Sequence, residues 1–134
     1  MIKTALLALM ALSLAACGGD SGSDDYQMAV QQADAKQTEA ISLSPASPCN
    51  AVQQCASLQL VAPEGHCGAP YYRPYSLATP TADAASAAAA DERALARHAI
   101  ALAPPPIVAC AVAGVAPPTL GCVANTCQAV APAN

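Results

Sequence analysis

Seven cysteines, in a chain of 134 residues with no Phe, no Trp and only four Tyr, constrain the fold more than any other feature. The chain is 54% hydrophobic, but alanine supplies much of that figure. A methyl side chain buries little area, and burial is worth only about 25 cal/mol per Å². Small domains already bury a low share of their surface. Cross-links commonly hold such chains together. The expected fold is therefore a small disulfide-rich α+β domain, with short antiparallel strands and one alanine-rich helix.

The first residues are excluded from that domain. Met1-Ile2-Lys3-Thr4 is a short basic start, and Ala5 to Ala16 is an apolar run broken only by Ser13. As a helix the run spans about 18 Å, short of a hydrocarbon core of about 30 Å. It reads as the apolar part of a signal peptide covering residues 1–16. The run ends Leu14-Ala15-Ala16-Cys17, which resembles the lipobox of bacterial lipoproteins. That resemblance implies a diacylglycerol on the Cys17 sulfur, cleavage before Cys17 and acylation of the new amine. Two or three chains, at about 0.8 kcal/mol per buried CH₂, hold firmly. Gly18, rather than Asp, follows the cysteine. By the same resemblance this implies sorting to the outer membrane, within a lipid-anchored envelope location.

Gly18-Gly19-Asp20-Ser21-Gly22-Ser23-Asp24-Asp25 reads as a flexible acidic tether. Tyr26 to Lys36 reads as a marginal helix within the tether, polar and short, because an isolated helix of that length is barely stable in water. Ser44-Pro45-Ala46-Ser47-Pro48 ends the segment. The expected division is thus a lipidated Cys17 with a disordered tether over 17–48, a stapled domain over 49–130 and a tail over 131–134.

Within the domain, Leu58 and Leu60 alternate inside Ser57–Val61 and read as a strand. Tyr71 to Ser76 is a second extended piece. Pro74 cannot donate to a ladder, so this piece is an edge strand or a loop. A helix is expected over about 80–103, with Thr79 as cap, Pro80 at its first position and Pro104 as its stop. Ala88, Leu95, Ala99 and Leu102 share one face at helical spacing. Asp83 and Arg97 complement the helix dipole. Ile107–Val112 and Leu120–Val123 are strand-like, and Cys127–Val130 returns after a turn at Ala124-Asn125-Thr126, giving a final hairpin.

With Cys17 acylated, six of the seven cysteines remain to pair: Cys49, Cys55, Cys67, Cys110, Cys122 and Cys127. Six allow fifteen connectivities. Cys49-x5-Cys55 and Cys122-x4-Cys127 have similar spacing at opposite ends of the domain. This suggests two antiparallel segments stapled twice, with Cys67–Cys110 closing across the helix. Local pairs, Cys49–Cys55 and Cys122–Cys127, are the alternative. The chain has no C-x-x-C and no cysteine dyads at zinc-ribbon spacing, so structural disulfides are favoured over redox or metal chemistry.

Other groups point to no constellation of acid, base and nucleophile, so no enzyme, metal or cofactor is expected. His66 and His98 lack the partners a catalytic or zinc site needs. Adjacent Asp91 and Glu92 diverge on a helix and read as a solvated face. Ser21, in Gly-Asp-Ser-Gly, sits in the tether with no preceding His in the mature chain. Cleavage removes Lys3 and takes the net charge from −4 to −5, with no basic cluster left, so nucleic acid is not an expected partner. Tyr71, Arg73 and Tyr75 share one face of an extended segment. They read either as core, which is favoured, or as an adhesive binding patch.

Cys67-Gly68-Ala69-Pro70, then Tyr75-Ser76, a helix and a Cys…Pro…Cys…Cys ending is similar to a group of uncharacterised exported bacterial proteins. In that group Cys-Gly-Gly-Pro is usual, so Ala69 departs from the pattern. The resemblance implies no activity. The functional expectation is a non-catalytic envelope lipoprotein, structural or partner-binding, attached to the membrane through Cys17. The alternative is a protease-inhibitor-like module in which disulfides brace a loop at 68–76.

Overall fold

The computed structural model describes residues 21–61, 68–104 and 115–131. Among these residues, two helices pair with each other, and two small antiparallel sheets of two strands each complete the expected disulfide-rich α+β fold, with one helix more than the single alanine-rich one expected. The order is α1 (Ser21–Ser42), a 3-10 turn (Val52–Gln54), β1 (Cys55–Val61), β2 (Pro70–Ser76), α2 (Ala82–Leu102), β3 (Leu120–Val123) and β4 (Thr126–Ala129). The proposed signal peptide, Cys17, His66, Cys67, Cys110 and the 107–112 run lie outside the described residues.

Over residues 21–42, helix α1 replaces the tether expected over 17–48. Its 22 residues span about 33 Å. Ala29, Val30, Ala33 and Ala40 recur at helical spacing and are buried. Alone the segment is marginal. What stabilises it is an antiparallel partner. Ala29 and Val30 pack with Ala99, Ala33 with Ala96, and Ala40 with Ala85, Ala88 and Ala89. Lys36 adds contacts to Glu39 at 2.7 Å and to Asp91 of α2 at 3.9 Å.

Helix α2 falls where the alanines predict, with its start moved. Thr81 is the residue before the first turn, and its hydroxyl donates to Leu43 O at 2.7 Å rather than capping the helix. Thr79 donates to Ser76 O at 3.1 Å. The buried stripe is Ala82, Ala85, Ala88, Ala89, Glu92, Ala96 and Ala99. Ala88 and Ala99 are on the predicted face. Leu95 is only partly buried and Leu102 is 37% exposed. The seam uses the small residues because two helices approach closely only where side chains are short.

Strand β1 pairs with β2 from Cys55↔Ser76 to Val61↔Pro70. Leu58 and Leu60 are buried against the helices with Tyr75. The prolines of β2 fit the ladder. Ser76 N–H turns outward to Pro45 O at 2.9 Å. Backbone direction alternates along a strand, so Pro70 and Pro74 fall on that same outward side, where no ladder bond needs an N–H. Gly68 precedes β2 at φ 57, and a Cβ there would meet Ile100 Cδ1 at 2.5 Å. The glycine of the Cys67-Gly68-Ala69-Pro70 segment thus admits both a left-handed backbone and the close approach of α2.

Strands β3 and β4 form the expected hairpin, with Cys122↔Cys127 in register. Its two-residue turn puts Ala124 at φ 49 and Asn125 at φ 64, the doubly positive pattern that suits strand twist. The Ser44–Pro48 segment, expected to end the tether, stitches the sheets together. Pro45 O accepts from Ser76 of β2, and Ala46 O accepts from Cys127 N of β4 at 2.7 Å. Ser76 Oγ donates to Pro48 O, and the Ser47–Pro48 bond is cis.

Candidate functional site

The densest chemistry among the described residues is a cluster of four sulfurs at the β3–β4 end. Cys49 bonds Cys122 with S–S 2.04 Å, and Cys55 bonds Cys127 with S–S 2.00 Å. The sulfurs of Cys49, Cys55 and Cys127 lie within 4.8 Å of one another. The cause is the hairpin register. Cys122 and Cys127 are direct cross-strand neighbours, so their side chains leave the same face together. Cys49 and Cys55 lie on either side of the 3-10 turn and present a matching pair.

The two ends of the domain are therefore stapled twice, as expected, but the pairing is 49–122 and 55–127. Antiparallel segments would have been joined the other way, and the local pairs do not form. The sequence treated Cys122 and Cys127 as one segment with a direction. They belong to two strands with opposite directions. All four sulfurs are held in these two disulfides, and none offers a thiolate.

A second polar site covers the free edge of β1. Gln59 O and Val61 N–H point away from β2 on alternate residues. Both oxygens of Glu92 accept from Val61 N at 3.2 Å. Arg93 Nη1 donates to Gln59 O at 2.8 Å. Adjacent residues of α2 thus complete the outer edge of the strand, where orphaned backbone groups would be costly. Glu92 is fully buried, which corrects the solvated face expected for Asp91 and Glu92. Asp91 alone remains exposed. Burial pushes the Glu92 carboxyl above its ordinary value, opposed by the Val61 N–H and by Arg93. A signal existed in the sequence. Ala85, Ala89, Glu92, Ala96 and Ala99 run at heptad-like spacing, so an acid stands inside an apolar stripe.

The trio Tyr71, Arg73 and Tyr75 divides. Tyr75 is 5% exposed and packs with Leu58 and Leu60, the core role that was favoured. Burial raises its phenol above the ordinary value, as does nearby Asp83. Tyr71 is 37% exposed and Arg73 is exposed. Partial burial, with Glu92 and Asp34 nearby, raises the Tyr71 phenol. Residues 70–76 are a paired strand, the edge-strand form of the extended piece expected from Tyr71 to Ser76, and not the protruding loop of the inhibitor-like alternative. His98 lines a groove of about 260 Å³ between the helices, with Asp25, Met28, Gln32 and Leu102. Ser21 is the first residue of α1.

No family model, curated protein or solved structure matches this chain. No helix among the described residues is long and apolar enough to cross a membrane.

Proposed function

We propose that this is a non-catalytic, lipid-anchored envelope protein, structural or partner-binding, held in the outer membrane through Cys17. The observation that carries the reading is the pairing of Leu14-Ala15-Ala16-Cys17 with a downstream domain closed by two disulfides. An oxidising compartment favours such bridges, and a lipobox is an address to one. The non-catalytic side draws on the groups themselves: Glu92 is engaged by Val61 N–H, and four cysteines are bonded as disulfides. The partner-binding side draws on Tyr71 and Arg73, exposed together on β2.

Intact mass of the protein extracted from native membranes, before and after reduction and alkylation, tests the reading. The expected species begins at Cys17, carries acyl chains and gains alkyl groups only after reduction. A species that begins at another residue, or lacks the acyl mass, overturns it. Alanine at Tyr71 and Arg73, followed by crosslinking in cells, tests the binding face. Loss of a crosslinked product from a folded variant is the expected result.

A further inference from the structure

The fold places the two ends of α1 in different surroundings, and this orients the molecule if Cys17 carries lipid, the reading on which this inference rests. Only Gly18, Gly19 and Asp20 stand between Cys17 and Ser21, the first residue of α1. Four residue steps reach at most about 14 Å, whatever their conformation. The end of the helix pair that contains Ser21 is therefore confined near any bilayer that holds Cys17. A connection running to residue 48 would have imposed no such limit.

That end presents apolar surface. Met28 is 56% exposed and Leu102 is 37% exposed. The two line one groove across α1 and α2, and Leu102 continues into a second depression with Gly22, Ser23 and Pro104. Met28 is about 10 Å along the axis from Ser21, about two turns away. The sulfur-stapled hairpin sits at the opposite end. Ala46, four residues past α1, accepts from Cys127 N, and Cys49 N donates to Asn125 O. The helix between the two ends is about 33 Å long.

We propose that the α1 start and α2 end, at Met28 and Leu102, rest on the lipid surface, so that the β3–β4 hairpin projects away from it. Asp24 and Asp25 lie at the same end, so attraction to anionic headgroups does not hold the face down. The short covalent connection does, and the exposed apolar side chains meet the headgroup and acyl boundary. The partner of this surface is a bilayer rather than a second protein.

The chain has no tryptophan, which makes a single introduced one a clean reporter. The natively acylated full protein, confirmed by mass, is reconstituted in zwitterionic vesicles with and without brominated acyl chains. Met28→Trp and Leu102→Trp alter exposed positions and should leave the fold intact, which circular dichroism checks. Both are expected to lose emission in the brominated vesicles, while Val123→Trp, 46% exposed on the hairpin, keeps it. Equal quenching at all three positions, or none at Met28→Trp and Leu102→Trp, overturns the orientation. A protein whose mass shows no acyl chain fails earlier, and refutes the anchor rather than the geometry. The Cys17→Ser protein made without residues 1–16, so that it carries neither acyl chains nor the apolar run, is expected to stay unquenched at every position. Quenching there would overturn the part assigned to the covalent connection.

Discussion

Along the seam between α1 and α2, alanine meets alanine; at the far end of α1, the β3–β4 hairpin is joined to the rest through sulfur. The first region depends on close approach of two helices, summed over Ala29, Ala33, Ala40, Ala85, Ala88, Ala89, Ala96 and Ala99, all buried. The second has four-residue strands whose residues are half-buried or exposed, with only Cys127 buried. A two-stranded hairpin of that size is not stable by itself. Where area can be buried, the chain uses methyl groups. Where it cannot, the chain uses covalent bonds.

Removing the sulfur breaks the comparison most severely. The bridges close 73 and 72 residues of chain, so the last one lost costs about 4 kcal/mol in the chain-entropy model. With one bridge intact, the other closes only a small loop of about a dozen residues and contributes about 3 kcal/mol. Cys55→Ala with Cys127→Ala is therefore expected to fold with a lowered urea midpoint. Removing all four cysteines, a loss of about 7 kcal/mol, is expected to abolish the cooperative transition. Two independent losses of equal size would show that the hairpin is not held as one stapled unit.

In the core beneath the helices the largest single effect is expected at Leu60 of β1, the largest fully buried side chain among the described residues. Leu60→Ala should cost about 3 kcal/mol, read as a urea midpoint shift with unchanged slope. Ala96→Leu sharpens the contrast. Ala96 is fully buried against Ala33 and Val61, and added methylenes there should force the helices apart at about 1–3 kcal/mol. A stabilised Ala96→Leu protein would mean that the seam is loose, and that sulfur rather than packing holds both regions.

What the sequence showed and hid follows from the range of the interactions. β1, β2, α2 and the final hairpin are local patterns: Leu58 and Leu60 in alternation, an alanine run after Pro80, a turn at Ala124 and Asn125. These were legible. α1 was legible only as a marginal helix over 26–36, because the stability of the full Ser21–Ser42 helix lies in residues some sixty positions away. Ala29 and Val30 count as a buried face only once Ala99 lies against them. The pairing of the cysteines was hidden for a related reason. Register, not spacing, puts Cys122 beside Cys127. At the edge of β1, an acid beside Asp91 gave the impression of a wet helix face, although its place in the alanine stripe already contradicted that.

Glu92 gives the smallest and most specific test, because it stands where the two kinds of stabilisation meet: a polar group inside the alanine seam. Its carboxylate accepts Val61 N–H but is buried at a desolvation cost that exceeds the gain, so its pKa lies above the ordinary 4.5. A carboxyl raised on folding adds stability in full below its unfolded value, and that stability is lost as the pH climbs through the raised value. Glu92→Gln keeps an oxygen for Val61 N–H and carries no charge. Compared with the native protein, it should be relatively more stable at neutral pH than at pH 4, with the difference developing above about pH 4.5. Glu92→Ala removes the acceptor as well, and orphaning Val61 N–H should cost about 1–3 kcal/mol. Urea midpoints of the three proteins across pH separate charge from hydrogen bond. Parallel pH profiles for native and Glu92→Gln proteins would mean that water reaches Glu92 and that the seam is not closed at β1.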